Sequence, residues 1–124
     1  MIIKSFKIFE SNEILYKDVI DTDQIDDLIT RSIDIEQRDI DKIFNYIDTS
    51  DLKYLFLTKE ILSNNSGRKY IHFFGNGHDF RIYKIPDDYY LMFDLNVGNA
   101  GYQGNDNLCD SLEGVFQFLK DKII

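Results

Sequence analysis

The sequence predicts an α+β fold: an antiparallel sheet of four to five strands with a C-terminal meander, packed with two acidic amphipathic helices and a C-terminal helix. Three observations carry that reading. Alternating apolar stretches follow one another in the second half with gaps of only turn length. Two helical stripes precede them in a section dense with Asp. A capped helical stripe closes the chain. At 124 residues, with 44% hydrophobic residues and ten Phe, residues 1–124 make one domain with one real core. The single Cys excludes a disulfide scaffold.

The elements follow in order. Residues 2–9 alternate as a strand, with Ile2, Phe6 and Ile8 on one face and Ile3 and Phe9 on the other. Asn12 suits a turn, and Ile14-Leu15-Tyr16 a short second strand. Asp21 with Gln24 has capping-box spacing, and Ile25, Leu28 and Ile29 form the stripe of the first helix. Ile40, Ile43, Phe44 and Ile47 take the i, i+3, i+4, i+7 positions of the second. Residues 52–62 fit either state: Tyr54, Phe56 and Thr58 alternate, whereas Leu55, Lys59 and Leu62 share a helical face.

After the turn signal Asn64-Asn65-Ser66-Gly67, strands are expected at 68–74, 79–85 and 89–95. Their separators, Gly75-Asn76-Gly77-His78 and Pro86-Asp87-Asp88, are too short for crossover helices, so the strands are antiparallel. In the third, Tyr89, Leu91, Phe93 and Leu95 form the expected core face. Residues 96–107, with three Gly and four Asn, read as a long polar loop. Asp110 and Glu113 then cap a helix with the stripe Leu112, Val115, Phe116 and Leu119. Gly114 within it implies close packing against a strand, since glycine costs a helix about 1 kcal/mol relative to alanine.

The net charge is −8, and it is concentrated. Residues 18–51 hold eleven acids and three bases, while the remainder is neutral overall. Such a field repels nucleic-acid phosphates and steers a basic partner inward, so no direct nucleic-acid contact is expected. No apolar run reaches the length of a membrane span, and the alternating start does not read as a secretion signal. A lone thiol fits a reducing compartment, so the expected location is cytoplasmic.

The candidate chemistry is thin. His72 alternates with Tyr70 and Phe74 and reads as a structural histidine; His78, beside Asp79 in a turn, is the better candidate base. Cys109 precedes the last helix, whose N-terminus lowers a thiol pKa, yet no nucleophile motif surrounds it. Asp94, Asp106 and Asp110 suit a carboxylate cluster at the sheet end, but Asp106 and Asp110 suit turn and cap duties equally well. The stretch from Asp21 to Asp27 lacks the central Gly and terminal Glu of an EF-hand loop. No metal, cofactor or catalytic residue is therefore expected, and enzymatic activity ranks last. The 96–107 loop has no phosphate-binding glycine pattern. It offers instead Asn99 and Tyr102, with His78, as contacts for a small molecule or nucleotide, in a monomer or a homo-oligomer.

The C-terminal half resembles small uncharacterised proteins encoded by bacteriophages, prophages and their hosts. The likeness lies in Ile82-Tyr83-Lys84-Ile85-Pro86-Asp87-Asp88-Tyr89-Tyr90-Leu91, in Cys109-Asp110-Ser111-Leu112-Glu113-Gly114-Val115-Phe116, and in the opening Ile3-Lys4-Ser5-Phe6-Lys7-Ile8-Phe9-Glu10. It covers about half the chain and brings no catalytic residues. It implies a small accessory protein that binds and blocks a host protein, as in phage counter-defence. Combined with the charge, the leading expectation is an acidic inhibitor that occludes a basic surface of a host protein, with Asp23, Asp26, Asp27, Asp39 and Asp41 as contacts. An immunity protein that neutralises a basic toxin rests on the same electrostatics.

Overall fold

A computed structural model describes residues 14–19, 23–96 and 102–123, with side chains described except at 23–26, 94–96, 102–105 and 122–123. The strand expected at 2–9 and the cap at Asp21 lie outside the described residues. Strand β1 (Tyr16–Asp18) is followed by helices α1 (Asp23–Thr30), α2 (Gln37–Asp48) and the single turn α3 (Leu52–Leu55). Strands β2 (Thr58–Ser63), β3 (Lys69–Gly75), β4 (His78–Lys84), β5 (Tyr89–Asn96) and β6 (Tyr102–Cys109) come next. Helix α4 (Leu112–Phe118) runs on into a π-helical turn, Leu119–Ile123.

The fold is α+β. Among the described residues its sheet has six strands, all antiparallel, in the order β1-β6-β5-β4-β3-β2. That corrects the expected four to five. Beyond the strands expected at 14–16, 68–74, 79–85 and 89–95 stand β2, from the stretch left open between helix and strand, and β6, from the stretch read as a polar loop. Eight residue pairs join β6 to β5, from Tyr89 opposite Cys109 to Asn96 opposite Tyr102, and β1 covers its other edge. A strand needs only its backbone ladder plus partners for its polar side chains. Asn107, fully buried, has such a partner: its amide donates to Asp18 at 2.7 Å. Strand β1 itself begins two residues later than Ile14.

The ambiguous 52–62 stretch divides. Leu52 and Phe56 turn into the core around α3, and β2 then pairs with β3 along six residues. The β3–β4 hairpin closes through Asn76 (φ 51°) and Gly77 (φ 80°). Two positive φ values in succession are the geometry of the two-residue turn that matches strand twist, and Asn-Gly is its preferred sequence.

Both faces of the sheet bury side chains. On one, Ile71, Phe73, Phe80, Ile82, Tyr89, Leu91 and Phe93 meet Ile40, Ile43 and Ile47 of α2 and Val115 and Phe118 of α4. Rings dominate: Phe80 stacks on Phe118 at 5.9 Å, and Tyr46 on Phe116 at 4.6 Å. On the other face Leu28 of α1 packs with Tyr83, Ile85 and Tyr90. The two acidic helices therefore lie on opposite sides of the sheet. The connection between them passes the sheet end, where Ile33 N–H donates to Lys84 O and Ile35 N–H to Lys69 O.

Gly114 has the close neighbour its sequence position implied. A Cβ there would sit 2.6 Å from the Leu15 carbonyl and 2.9 Å from the Cys109 Cβ. Ser111 caps the same helix by accepting from Gly114 N–H at 3.2 Å.

Candidate functional site

The α1 side of the sheet is ordered into cross-strand rungs by register. One rung runs Leu62, Tyr70, Tyr83, Tyr90, Leu108, and the next Glu60, His72, Arg81, Met92, Asp106. In the first, Tyr70 stacks on Tyr83 at 4.6 Å and Tyr83 on Tyr90 at 5.7 Å. Helix α1 covers the Tyr83–Tyr90 end. The Tyr70 end, with Arg81, the β2–β3 turn and Ile29 of α1, encloses a cleft of about 410 Å³.

The second rung is a charge network. His72 Nδ1 lies 3.2 Å from Glu60 Oε1 and Nε2 2.9 Å from Asp79 Oδ2, and its ring stacks on Phe74 at 4.8 Å. Asp79 in turn accepts from Arg81 Nε at 3.2 Å. His72 thus turns both ring nitrogens to carboxylates of neighbouring strands. It ties β2, β3 and β4 together, the structural role its alternation suggested. Burial works against the Arg81 charge, but the Tyr83 hydroxyl and Asp79 outweigh it and hold the guanidinium above its ordinary pKa. Asp106 sits above its ordinary range through burial, opposed by a hydrogen bond from Tyr90.

The residues named from sequence separate. Asp27 is exposed and pairs with Arg31 at 3.1 Å on the α1 side; the side chains of Asp23 and Asp26, on the same helix, lie outside the described set. Asp41 is exposed on α2, where it accepts from Gln37 at 2.9 Å. Asp39 departs from its expected role. It is 4% exposed, and its Oδ2 accepts from the Tyr89 hydroxyl at 2.7 Å. It joins α2 to β5 and offers no free charge to a partner. The five acids thus do not form one surface, because the sheet stands between α1 and α2.

Of the alternative ligand contacts, His78 and Tyr102 share one end of the sheet. His78 pairs with Leu95, which pairs with Gln103 beside Tyr102; Asn99 falls outside the described residues. The His78 Nδ1 contacts the Asn76 carbonyl of its own turn at 3.1 Å. Because 102–107 belong to β6, the long recognition loop is not there as drawn from sequence.

Cys109 is buried, and burial first, then Asp110 and Asp88, push its thiol up to about 12. That is the reverse of an activated thiol. It also lies opposite Tyr89, while His78 lies opposite Leu95; six residues of strand, about 20 Å, keep them apart. Asp110, just past the end of β6, is likewise at the far end of the β5–β6 ladder from position 94. Among the described residues, no three His, Cys, Asp or Glu are placed to hold a metal ion, and no helix is long and apolar enough to cross a membrane.

Sequence reasoning missed the Glu60–His72–Asp79–Arg81 network and the Tyr70–Arg81 cleft. Alternation alone puts His72 with Tyr70, and Arg81 with Tyr83, but only the β3–β4 register sets the two pairs side by side. Comparison with protein-family models, curated proteins and solved structures gives no match.

Proposed function

We propose that this chain is a non-catalytic binding protein that occludes a basic surface of another protein with its acidic α2 side. The observation that carries the reading is the exposure of Asp34, Glu36, Asp41, Asp48 and Asp51, against only Arg38 and Lys42 in the same stretch. Some of this charge is answered locally, Asp48 by Lys59 at 2.6 Å and Glu36 by Arg38 at 3.0 Å. Exposed pairs of this kind are weak and exchange readily for an incoming cation. Asp34 is engaged at the sheet end, where its Oδ1 accepts from Lys69 N–H at 2.8 Å, so Asp41 and Asp51 are left as the main contacts, with Asp27 on a separate surface. Acidic patches of this kind steer a basic partner and set its association rate. The resemblance to phage and prophage proteins favours a host target in the cytoplasm, and a basic toxin is the other partner of the same chemistry.

The test is capture from bacterial lysate at low and high salt, using the native chain and a variant with Glu36, Asp41 and Asp51 changed to Lys. A stoichiometric basic partner, lost at high salt and absent with the variant, is the expected result. Equal capture by the variant, or a partner indifferent to salt, overturns the assignment. An Asp27→Lys variant separates the two helices: its capture should match that of the native chain.

A further inference from the structure

We infer that the cleft between the β2–β3 turn, Ile29 and the Tyr70–Tyr83 pair binds a small organic anion: a flat apolar body bearing one carboxylate or phosphate group, with Arg81 as the anion contact. The cleft lies on the opposite side of the sheet from the surface proposed above and stands independently of it. Three features point to this ligand class.

The first is charge. The chain has 22 acids and 14 bases, yet among the described residues no Asp or Glu lines this cleft, and Arg81 does. The second is the way Arg81 is held. Asp79 takes its Nε at 3.2 Å, and the Tyr83 hydroxyl is a further hydrogen-bond partner. These contacts restrain the group at the cleft wall. The remaining N–H donors meet no other ion-pair partner among the described residues. A guanidinium restrained in this way presents a fork that matches a carboxylate or phosphate edge. Holding it in advance also removes much of the ordering cost of binding.

The third feature is the wall. Tyr70 and Tyr83 stack with an interplanar angle of 23°, and Ile29 adds apolar surface to the same cleft. Flat rings give a flat ligand large contact area at little entropic cost. Asn65 and Ser66 at the turn add neutral polar groups at the mouth. A volume of about 410 Å³ falls within the usual range for small-ligand sites.

Benzoate, phenyl phosphate and inorganic phosphate, titrated into the full chain and followed by amide chemical shifts, provide the test. Saturable shifts at Asn65, Tyr70 and Arg81 with benzoate or phenyl phosphate are expected, and the tighter of the two identifies the anionic group. Inorganic phosphate should bind at least about tenfold more weakly, because it lacks the flat body. Arg81→Gln should weaken the better ligand at least about tenfold. Ser66→Trp, a change at an exposed turn position that leaves the core intact, should block the mouth and give the same loss. Absence of saturable shifts with both aromatic anions overturns the inference, as does full affinity in Arg81→Gln or in Ser66→Trp. Equal binding of inorganic phosphate overturns the part assigned to the tyrosine wall.

Discussion

Replacing Tyr89 with Phe removes one hydroxyl and little else, which makes the α2–β5 link a direct test of the packing argument. The Tyr89 hydroxyl donates to Asp39 Oδ2 at 2.7 Å, with Tyr89 at 8% exposure and Asp39 at 4%. The nearest other cation is Arg38, whose Nε lies 3.9 Å from Oδ1 on a side chain that is 75% exposed, so it compensates poorly. Hydrogen bonds to charged groups contribute about 1.5–3 kcal/mol, and an orphaned buried acceptor carries its own desolvation cost. The ring stays, so no sizeable cavity forms. The expected loss for Tyr89→Phe is therefore about 2 kcal/mol, or roughly 6–10 °C in Tm for a domain of this size. Asp39→Asn keeps an acceptor for the hydroxyl and should cost less. Urea unfolding with an unchanged slope reads the stability change directly. A double-mutant cycle of Tyr89→Phe with Asp39→Ala should give a coupling of about 1 kcal/mol or more. A loss below about 0.5 kcal/mol together with no coupling would refute the view that Asp39 is a packing residue, and would return it to the set of available surface charges.

Other expectations follow from the same geometry. Gly114→Ala improves intrinsic helix propensity by about 1 kcal/mol, but its Cβ would meet the Leu15 carbonyl at 2.6 Å; thermal melting should show net destabilisation. The Cys109 thiol, raised by burial from 9.0 to about 12, keeps its proton in the fold when the unfolded chain loses it. Its stabilising share is whole below pH 9.0 and is lost as pH rises toward about 12. Tyr89, also raised, chiefly by burial and then by Asp39, adds to that alkaline loss, and Cys109→Ala should flatten the early part of the stability–pH curve. His72→Phe removes the ring-nitrogen contacts to Glu60 at 3.2 Å and Asp79 at 2.9 Å and should cost about 1–2 kcal/mol in urea unfolding. Adding Glu60→Gln and Asp79→Asn should recover part of that loss, and no recovery would count against the network.

Much of this fold was readable because local signals agreed with the tertiary answer. Strands β3 to β5 alternate cleanly, and Asn76-Gly77 supplies both positive φ values that a two-residue hairpin requires. Helix α2 shows its buried stripe at Ile40, Ile43 and Ile47. Strand β6 was not readable, because glycine and asparagine are poor strand formers and its place is set by two neighbouring ladders. An amphipathic stripe says that a helix buries one side; it does not say which face of a sheet receives it. That gap is why the acidic section looked like one surface and is two. Asp39 was hidden for a related reason: its partner, Tyr89, is fifty residues away, and nothing local separates it from Asp41.

The two-sided sheet also makes the two binding proposals separable. The helical layer on the α2 side and the cleft on the α1 side are divided by the full sheet, and packed layers stand about 10 Å apart. The screening length at physiological salt is about 8 Å. Charges on α2 should thus contribute little to an anion held by Arg81 under those conditions. At low salt the α2 reversal should tighten anion binding modestly, because it removes a repulsive field without touching a contact. Conversely, Arg81→Gln should leave capture of a basic partner unchanged at either salt. If Arg81→Gln instead abolished capture, the partner would be docking on the tyrosine side of the sheet, and the acidic α2 surface would serve solubility alone.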